Sequence, residues 1–175
     1  AMNIVNDMLI PALDKAGAEF EKGKLFLPQL IQTAGTAQAC FEVIKNYILS
    51  TGEKSVSKGK IILATVKGDI HDIGKNLVAL MLKNYGYHVI DLGKDVETQT
   101  ILDTAKAENA SIIGLSALMT TTMMEMKEVV DEAKKQGVKA KIIIGGAVVT
   151  ESFAEEIGAD GYSADAREAV KVVNR

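Results

Sequence analysis

From the amino-acid sequence we predict an α/β fold, a five-stranded, doubly wound parallel sheet that follows a helical region. Three observations lead to this prediction. Residues 1–50 have helical periodicity and no strand pattern, residues 51–59 are polar without an apolar period, and from residue 60 short apolar runs alternate with helical stretches. Such an alternation requires a parallel sheet that helices cover on both faces. The 175-residue chain, which is 47% hydrophobic, is long enough to bury that core.

Two helices account for residues 1–50. The first spans 11–21 and ends around Gly23, and the second begins near Pro28, a residue suited to a first helical turn. An apolar stripe at spacings of three and four follows the second helix through Leu30, Ala34, Ala37, Phe41, Ile44 and Ile48. Because a helical hairpin leaves apolar faces uncovered, further helices, a second copy or the following domain must cover them. We predict that 51–59 is a linker and that 60–175 is one α/β domain.

The α/β region divides into five strands and four helices. The predicted strands are 61–66, 89–92, 112–115, 142–144 and a short one near 161–162. The predicted helices are 75–84, 97–108, 121–136 and 164–173. In flavodoxin-like and Rossmann-like sheets of this kind, ligands bind beyond the carboxyl ends of the strands. We therefore expect the functional site in the loops 67–74, 116–122 and 145–150.

Composition excludes several classes of function. Twenty Lys and Arg against 23 Asp and Glu give a net charge of −3, and no basic run is dense enough to bind a nucleic-acid backbone. The longest apolar stretches are far shorter than the roughly 20 residues that span a bilayer, so no membrane partner is expected. A single cysteine, Cys40, excludes an internal disulfide and a zinc site of several thiolates. It fits a reducing compartment, and we expect a cytoplasmic protein.

An acid and a histidine follow the first predicted strand, at Asp69 and His71. A carboxylate that accepts one ring N–H of a histidine fixes its tautomer and raises the basicity of the other nitrogen, as in many metal-ligating pairs. A single loop histidine is more often a solvated or capping residue, and on spacing alone that interpretation remains open. His88, at the start of the second strand, receives it.

Hydroxyl and glycine residues follow two other strands. Ser116 to Thr122 includes three threonines, which are also suited to capping the next helix. Gly145 and Gly146 indicate a tight turn or a close approach of something to the backbone. The G-x-G-x-x-G of dinucleotide folds is absent after the first strand. Ser116 stands where a receiver domain would carry its acceptor Asp, so neither class fits.

Taken in order, Asp69-x-His71-x-x-Gly74, Ser116-x-Leu118 and Gly145-Gly146 resemble the signature of cobalamin-binding domains that bind the cofactor base-off and His-on. Segments 67–76 and 20–30 resemble the methyltransferase branch, which comprises cobalamin-dependent methionine synthase and the stand-alone corrinoid proteins of methylamine and methanol metabolism. Segment 26–29 is more similar to methionine synthase, toward which we lean, whereas 116–123 and 158–162 are equally typical of the stand-alone proteins.

The resemblance assigns roles to individual residues. It implies that His71 ligates cobalt, that Asp69 and Thr122 link His71 to a proton source, and that Ser116 and Leu118 contact the detached nucleotide tail. Methionine synthases often have a serine at the position of Thr122, and threonine keeps the hydroxyl. The remaining residues with an implied place at the cofactor are Gly68, Asp72, Gly74, Thr120, Gly145 and Gly146, with Phe20 and Leu27 over its upper face.

The resemblance also implies a function and partners. The cofactor is cobalamin, in its methylcobalamin and cob(I)alamin forms, and the chain carries a methyl group from methyltetrahydrofolate to homocysteine in methionine biosynthesis. The alternatives are a stand-alone corrinoid protein for methylamine or methanol, and a non-catalytic cobalamin sensor. Donor and acceptor domains or subunits and a reductive activation partner must be separate, so the chain is not a complete methyltransferase. The family's cap has four helices and only the last two are expected here, so the chain is a fragment or another molecule, such as a second copy, completes the cap.

Overall fold

A computed structural model of the chain describes residues 4–51 and 58–174. These residues divide into two compact units. The helical unit contains residues 4–51 together with Lys83–Gly86, and the sheet unit contains residues 58–82 and 87–174. Most of the predicted linker, 51–59, lies outside the described residues.

The helical unit contains both predicted helices, preceded by a π-helical turn at Val5–Leu9. Helix α1 spans Ile10–Glu21, and the amide of Gly23 closes it on the Phe20 carbonyl oxygen at 2.9 Å. Helix α2 spans Leu27–Thr51. Its predicted stripe is buried at Leu30, Ala34 and Ala37 and half-buried at Phe41 and Ile44, whereas the side chain of Ile48 lies outside the described part. None of the described helices is both long enough and apolar enough to cross a membrane.

The sheet unit contains five parallel strands in the order β2-β1-β3-β4-β5. The strands are β1 (Lys60–Thr65), β2 (His88–Asp91), β3 (Ile112–Ser116), β4 (Lys141–Gly145) and β5 (Gly161–Ser163). The helices between and after them are α3 (Ile73–Asn84), α4 (Thr98–Ala107), α5 (Met123–Lys135), α6 (Glu151–Ile157) and α7 (Ala166–Val173). The order reverses between β1 and β3, which is the geometry of a doubly wound sheet with its ligand site at that point.

Helix α6 is the one element of the described sheet unit that the sequence analysis missed. Its 7 residues are too few for a clear apolar period. Both of its ends were nevertheless visible in the sequence. The Thr150 hydroxyl accepts the amide of Phe153 at 3.3 Å, and Gly158 ends the helix in a left-handed conformation (φ 70°).

The two faces of the sheet differ in what covers them. On the packed face, the side chains of Ile62, Ile113 and Ile144 join a buried core with residues of α4, α5 and α6. The opposite face, the cavity face, carries Ile61, Leu63, Gly114, Ser116, Gly145 and Ser163 beneath α3 and α7. Residues paired across parallel strands point to the same side, so the register places all six on one face. The core is therefore solid on one side of the sheet only.

Candidate functional site

Asp69 is the centre of a hydrogen-bond cluster at the carboxyl end of β1. Its side chain is completely buried, and one oxygen, Oδ1, accepts the backbone amide of His71 at 3.0 Å. The other oxygen, Oδ2, accepts the amide of Leu118 at 2.7 Å and that of Met119 at 3.3 Å. The loops after β1 and β3, 49 residues apart in sequence, are thus held together by one carboxylate.

Hydrogen bonds keep this buried carboxylate ionised. Burial alone would raise the pKa of Asp69, because it removes water from the charge. The amides of Leu118 and His71, the Thr122 hydroxyl and the His71 ring all stabilise the ionised form, and together they hold the pKa well below its ordinary value. Asp69 is therefore an acceptor for hydrogen bonds and not a donor.

The orientation of His71 follows from the charge on Asp69. The ring nitrogen Nδ1 lies 2.8 Å from Asp69 Oδ1 and must donate, because an ionised carboxylate can only accept. The neutral ring then has its lone pair on Nε2, which has no hydrogen-bond partner among the described residues. The His71 side chain is 45% exposed. A buried carboxylate therefore presents a half-exposed imidazole nitrogen as a ligand.

The Thr122 hydroxyl extends the cluster. Its Oγ1 lies 2.7 Å from Asp69 Oδ2 and 2.9 Å from the carbonyl oxygen of Met119, so its single hydrogen is available to either acceptor. Thr122 is buried at the residue before α5, but its side chain makes no capping bond to that helix. The hydroxyl therefore contacts the carboxylate that also bonds the His71 ring. Thr120 is exposed and belongs neither to this cluster nor to the cavity lining.

A cavity of about 460 Å³ opens beside His71 on the cavity face of the sheet. Its volume lies within the range of small-molecule pockets, roughly 300–1,000 Å³. Ile61, Leu63 and Gly114 line its interior, and His71, Asp72, Gly74 and Leu118 are among the residues of the loops and the first turn of α3 that line it. It extends from the strands to the loops at the carboxyl ends of β1, β3 and β4, where such sheets bind ligands.

Small residues form a row across this cavity. Ser116, Gly145 and Ser163 are paired in register on three neighbouring strands, and all three line the cavity. A Cβ atom on Gly145 would lie 2.8 Å from the carbonyl oxygen of Ser163, and one on Gly146 would clash with the carbonyl oxygen of Ala117. The glycines therefore allow close packing of the strand ends and keep the space in front of β4 open.

The remaining predicted residues have varied positions. Gly68 has φ 76° and donates its amide to Asp95 Oδ1 at 2.7 Å, so it shapes the loop and does not line the cavity. Phe20 is half-buried and Leu27 is 39% exposed, both within the helical unit. His88 is exposed at the start of β2, as its solvated interpretation predicts.

Sequence reasoning missed three groups at the site. Ser163, at the end of β5, lines the cavity. The only sequence feature that pointed to it was a hydroxyl residue at the end of the fifth predicted strand. Lys75 is buried and forms an ion pair with Asp91, a contact that pattern analysis cannot foresee because the two residues belong to α3 and β2. Ile70 and Ile73 flank His71 with side chains 61% and 77% exposed. Together with Leu118, which is 40% exposed, they line the same cavity as His71 and add exposed apolar surface to it.

The cluster offers a metal one ligand. Both oxygens of Asp69 already accept hydrogen bonds, so Nε2 of His71 is the free donor atom. Within the described residues, no group of three or more His, Cys, Asp or Glu could hold a metal ion. A single imidazole and a cavity beside it with exposed apolar surface together define an α/β domain that binds a metal-containing organic cofactor.

Comparison with known families identifies this cofactor. Residues 59–171 match the family of B12 binding domains, and residues 1–45 match a second B12 binding domain family. The chain belongs to the B12 binding domain family, and cobalamin is its cofactor. The resemblance drawn from Asp69, His71 and Gly74 is thereby confirmed for the family, and so is the five-stranded parallel fold.

Three relatives are informative. The chain is 41% identical to dimethylamine corrinoid protein 1 of Methanosarcina acetivorans, over 95% of this chain and 79% of that protein. It is 34% identical to a cobalamin-binding protein from Desulfitobacterium hafniense, covering 99% of this chain and 89% of that one, with a TM-score of 0.81. It is 32% identical to a chain of the methanol:cobalamin methyltransferase complex from Methanosarcina barkeri, covering 98% and 66%, with a TM-score of 0.79. These relatives favour the stand-alone corrinoid proteins over methionine synthase, and methionine biosynthesis has no support among them.

The residues present fit the tail of a cobalamin on structural grounds alone. The hydroxyls of Ser116 and Ser163 line the cavity and have no hydrogen-bond partner among the described residues. Gly145 lies between them without a side chain. A polar heterocycle with its sugar is the kind of group that such a narrow, apolar cavity with few polar atoms selects.

Proposed function

We propose that this chain is a stand-alone corrinoid protein that carries a methyl group from a methylamine-type or methanol-type donor to a thiol acceptor. The observation that carries the proposal is the Asp69–His71–Thr122 cluster beside the cavity, because it presents one imidazole nitrogen next to space for a nucleotide tail. Methylamine-type and methanol-type donors are supported by the names of two relatives, a dimethylamine corrinoid protein and a methanol:cobalamin methyltransferase complex. Methyltransferase subunits that bind donor and acceptor, and a reductive activation partner, belong to the proposal.

When bound, cobalamin supplies a cobalt centre that accepts and releases the methyl group. The chain's own residues hold and orient it. Nε2 of His71 would hold the cobalt, and Asp69 keeps the ring in the tautomer that ligation requires. Ser116 and Leu118 contact the tail, Gly145 and Gly146 leave room for it, and the exposed Ile70 and Ile73 offer apolar surface at the mouth.

Proton transfer in this cluster couples to ligation. Asp69 is ionised and shares the ring proton of His71, and the Thr122 hydroxyl touches the other carboxylate oxygen. A proton that adds to Nε2 occupies the lone pair that a metal needs, so protonation and ligation exclude one another. With cobalamin bound, His71 would therefore hold the metal only while Nε2 is unprotonated.

We also propose that residues 1–50 form the family's helical cap and 60–175 the cofactor domain. The two family matches, 1–45 and 59–171, support this division. We propose, from the resemblance alone, that Phe20 and Leu27 shield the upper face of the cofactor. The proposal that another molecule completes a four-helix cap has the same basis. A cytoplasmic location rests on the single Cys40.

Electron paramagnetic resonance of the chain loaded with cobalamin in the Co(II) state tests the ligand. We expect nitrogen splitting from a protein imidazole, and isotopic labelling of histidine with ¹⁵N should change it. His71→Gly should abolish that splitting, whereas His88→Gly, at an exposed histidine on β2, should leave it intact. Splitting that persists in His71→Gly would overturn the assignment.

Methyl transfer tests the donor class. Reduced, cobalamin-loaded protein is mixed separately with dimethylamine, with methanol and with methyltetrahydrofolate, each with its cognate methyltransferase, and methylation of the cofactor is followed by absorbance. We expect methylation with an amine or with methanol. Methylation by methyltetrahydrofolate alone would restore the methionine synthase interpretation, and none with any donor would contradict the carrier function.

A further inference from the structure

Ser163 is a buried residue whose hydroxyl has no hydrogen-bond partner in the described part of the chain. It is 7% exposed and lines the cavity at the end of β5. Its hydroxyl makes no hydrogen bond within the described residues. Buried polar side chains in native proteins nearly always have a partner, so a hydroxyl that faces an open cavity without one calls for a ligand.

Neighbouring residues, and not Ser163, cap the start of α7. Serine is a common helix-capping residue, and Ser163 stands close to the start of α7. Here the cap is Asp165, whose Oδ1 accepts the amide of Glu168 at 2.7 Å. Glu168 in turn accepts the amide of Ala164 at 2.8 Å. Because this reciprocal pair already satisfies the first turn of α7, the Ser163 hydroxyl is not needed there.

Ser163 also has a definite place relative to the predicted tail contact. It is paired in register with Gly145, which is paired with Ser116. Two strand spacings, about 10 Å, therefore separate the two serine backbones across the sheet. The stretch between them has no side chain at Gly145, so it is free for a flat group that lies against the backbone of β4.

We propose that Ser163 is a specificity-determining residue, whose hydroxyl hydrogen-bonds the nucleoside of the corrinoid tail at the end opposite Ser116. The inference rests on the proposed binding of the tail in the cavity and adds a residue and a selectivity to it. A corrinoid with a complete nucleotide gains this contact, and a corrinoid without one does not. Ser163 thereby helps the chain to select complete cobamides.

Binding of two corrinoids tests the assignment. Dissociation constants for cobalamin and for cobinamide, which lacks the nucleotide, are measured by absorbance with the wild-type chain and with Ser163→Ala. We expect Ser163→Ala to weaken cobalamin binding by about three- to tenfold, the effect of one neutral hydrogen bond, and to leave cobinamide binding unchanged. Ser163→Cys, which keeps the shape but bonds weakly, should lose a similar factor.

Two controls separate a ligand contact from a structural effect. Ser152→Ala, at an exposed serine of α6, should alter neither dissociation constant. Thermal unfolding of Ser163→Ala without cofactor should occur at the wild-type temperature or slightly above it, because a hydroxyl without a partner contributes nothing to the apo fold. A clear loss of apo stability would assign Ser163 to the structure and overturn the proposal.

The failures of this inference and of the proposed function are distinguishable. Wild-type protein without imidazole splitting in the Co(II) state overturns the proposed function, and this inference with it. Intact splitting, with equal cobalamin affinity in Ser163→Ala and wild type, overturns the role of Ser163 alone. An equal loss of affinity for cobinamide and cobalamin does so as well, because it places the effect outside the nucleotide.

Discussion

The same strands form both faces of the sheet, yet one face is packed into the core and the other borders a cavity. On the packed face, Ile62, Ile113 and Ile144 are fully buried in a continuous core beneath α4, α5 and α6. On the cavity face, the residues next to them along each strand surround a cavity of about 460 Å³. Successive residues of a strand point to opposite faces, so one strand supplies both. The binding site is therefore the part of the interior that side chains leave unfilled.

Residue size creates this difference. Toward their carboxyl ends, β3, β4 and β5 carry Ser116, Gly145 and Ser163 on the cavity face, whereas Leu115 and Ile144 occupy the packed face. Small residues at three adjacent positions make a space that the helices above cannot fill. Parallel sheets are usually covered tightly on both faces, so such a gap is a feature that a ligand explains.

The largest expected effect compares two adjacent isoleucines of β1. Ile62, on the packed face, and Ile61, on the cavity face, are both completely buried. Urea unfolding followed by circular dichroism should show that Ile62→Ala lowers the free energy of unfolding by about 3–5 kcal/mol and Ile61→Ala by about 2–3 kcal/mol. Ile61 borders empty space and loses fewer contacts. Equal losses, or the reverse order, would mean that the faces are packed alike.

The second prediction concerns the buried charge of Asp69, which bonds His71 beside the cavity. Asp69→Asn replaces a carboxylate that accepts hydrogen bonds from several donors, and should lower the free energy of unfolding at pH 7 by about 1–3 kcal/mol. The folded-state pKa of Asp69 lies below its ordinary value of 3.8, so its stabilising effect is present above pH 3.8 and is lost as the pH falls from there toward the folded-state pKa. The difference between wild type and Asp69→Asn should therefore shrink below pH 3.8.

An exposed aspartate provides the control. Asp103→Asn, on the solvent side of α4, should change the free energy of unfolding by less than about 0.5 kcal/mol at either pH. Urea unfolding at several pH values measures both variants. A gap between Asp69→Asn and wild type that stays constant below pH 3.8 would contradict the ionised state assigned to the cluster.

The smallest expected effect concerns Gly74, in the first turn of α3 on the cavity face. A Cβ atom there would meet nothing within 4 Å, so the apo fold does not require glycine. Gly74→Ala should raise the free energy of unfolding by about 0.4–1 kcal/mol and yet weaken cobalamin binding, because Gly74 lines the cavity in which we propose that the cofactor binds.

Gly35→Ala, in α2, also meets nothing within 4 Å and should give a similar gain in stability. It is thus the control for helix propensity. If Gly74→Ala bound cobalamin as tightly as wild type, the glycine of the motif would have no role in close approach to the cofactor.

Much of the fold was predictable because apolar period and strand length are local properties. Except for α6, which was not predicted, the predicted boundaries of the elements from β1 to α7 lie within about two residues of the observed ones. The site was predictable only in part. Asp69 and His71 are two residues apart and hydrogen-bond to each other, so their spacing in the sequence was enough to predict the pair. Thr120 and Thr122 both lie in the loop after β3, yet only Thr122 reaches Asp69, because the turn before α5 decides which hydroxyl points inward.

By itself, the sequence determined the order of the strands and of every helix of the sheet unit except α6, together with the Asp-x-His pair and the glycines at the end of β4. These features are predictable because periodicity, turn chemistry and short spacings depend only on residues that are close together in the sequence. Only the tertiary structure decided which hydroxyls are bonded and which are free. Thr122 meets a carboxylate 53 residues away, whereas Ser163 faces the cavity because β5 lies beside β4 and the cap of α7 is already complete. Such contacts depend on how distant strand ends meet at one edge of the sheet.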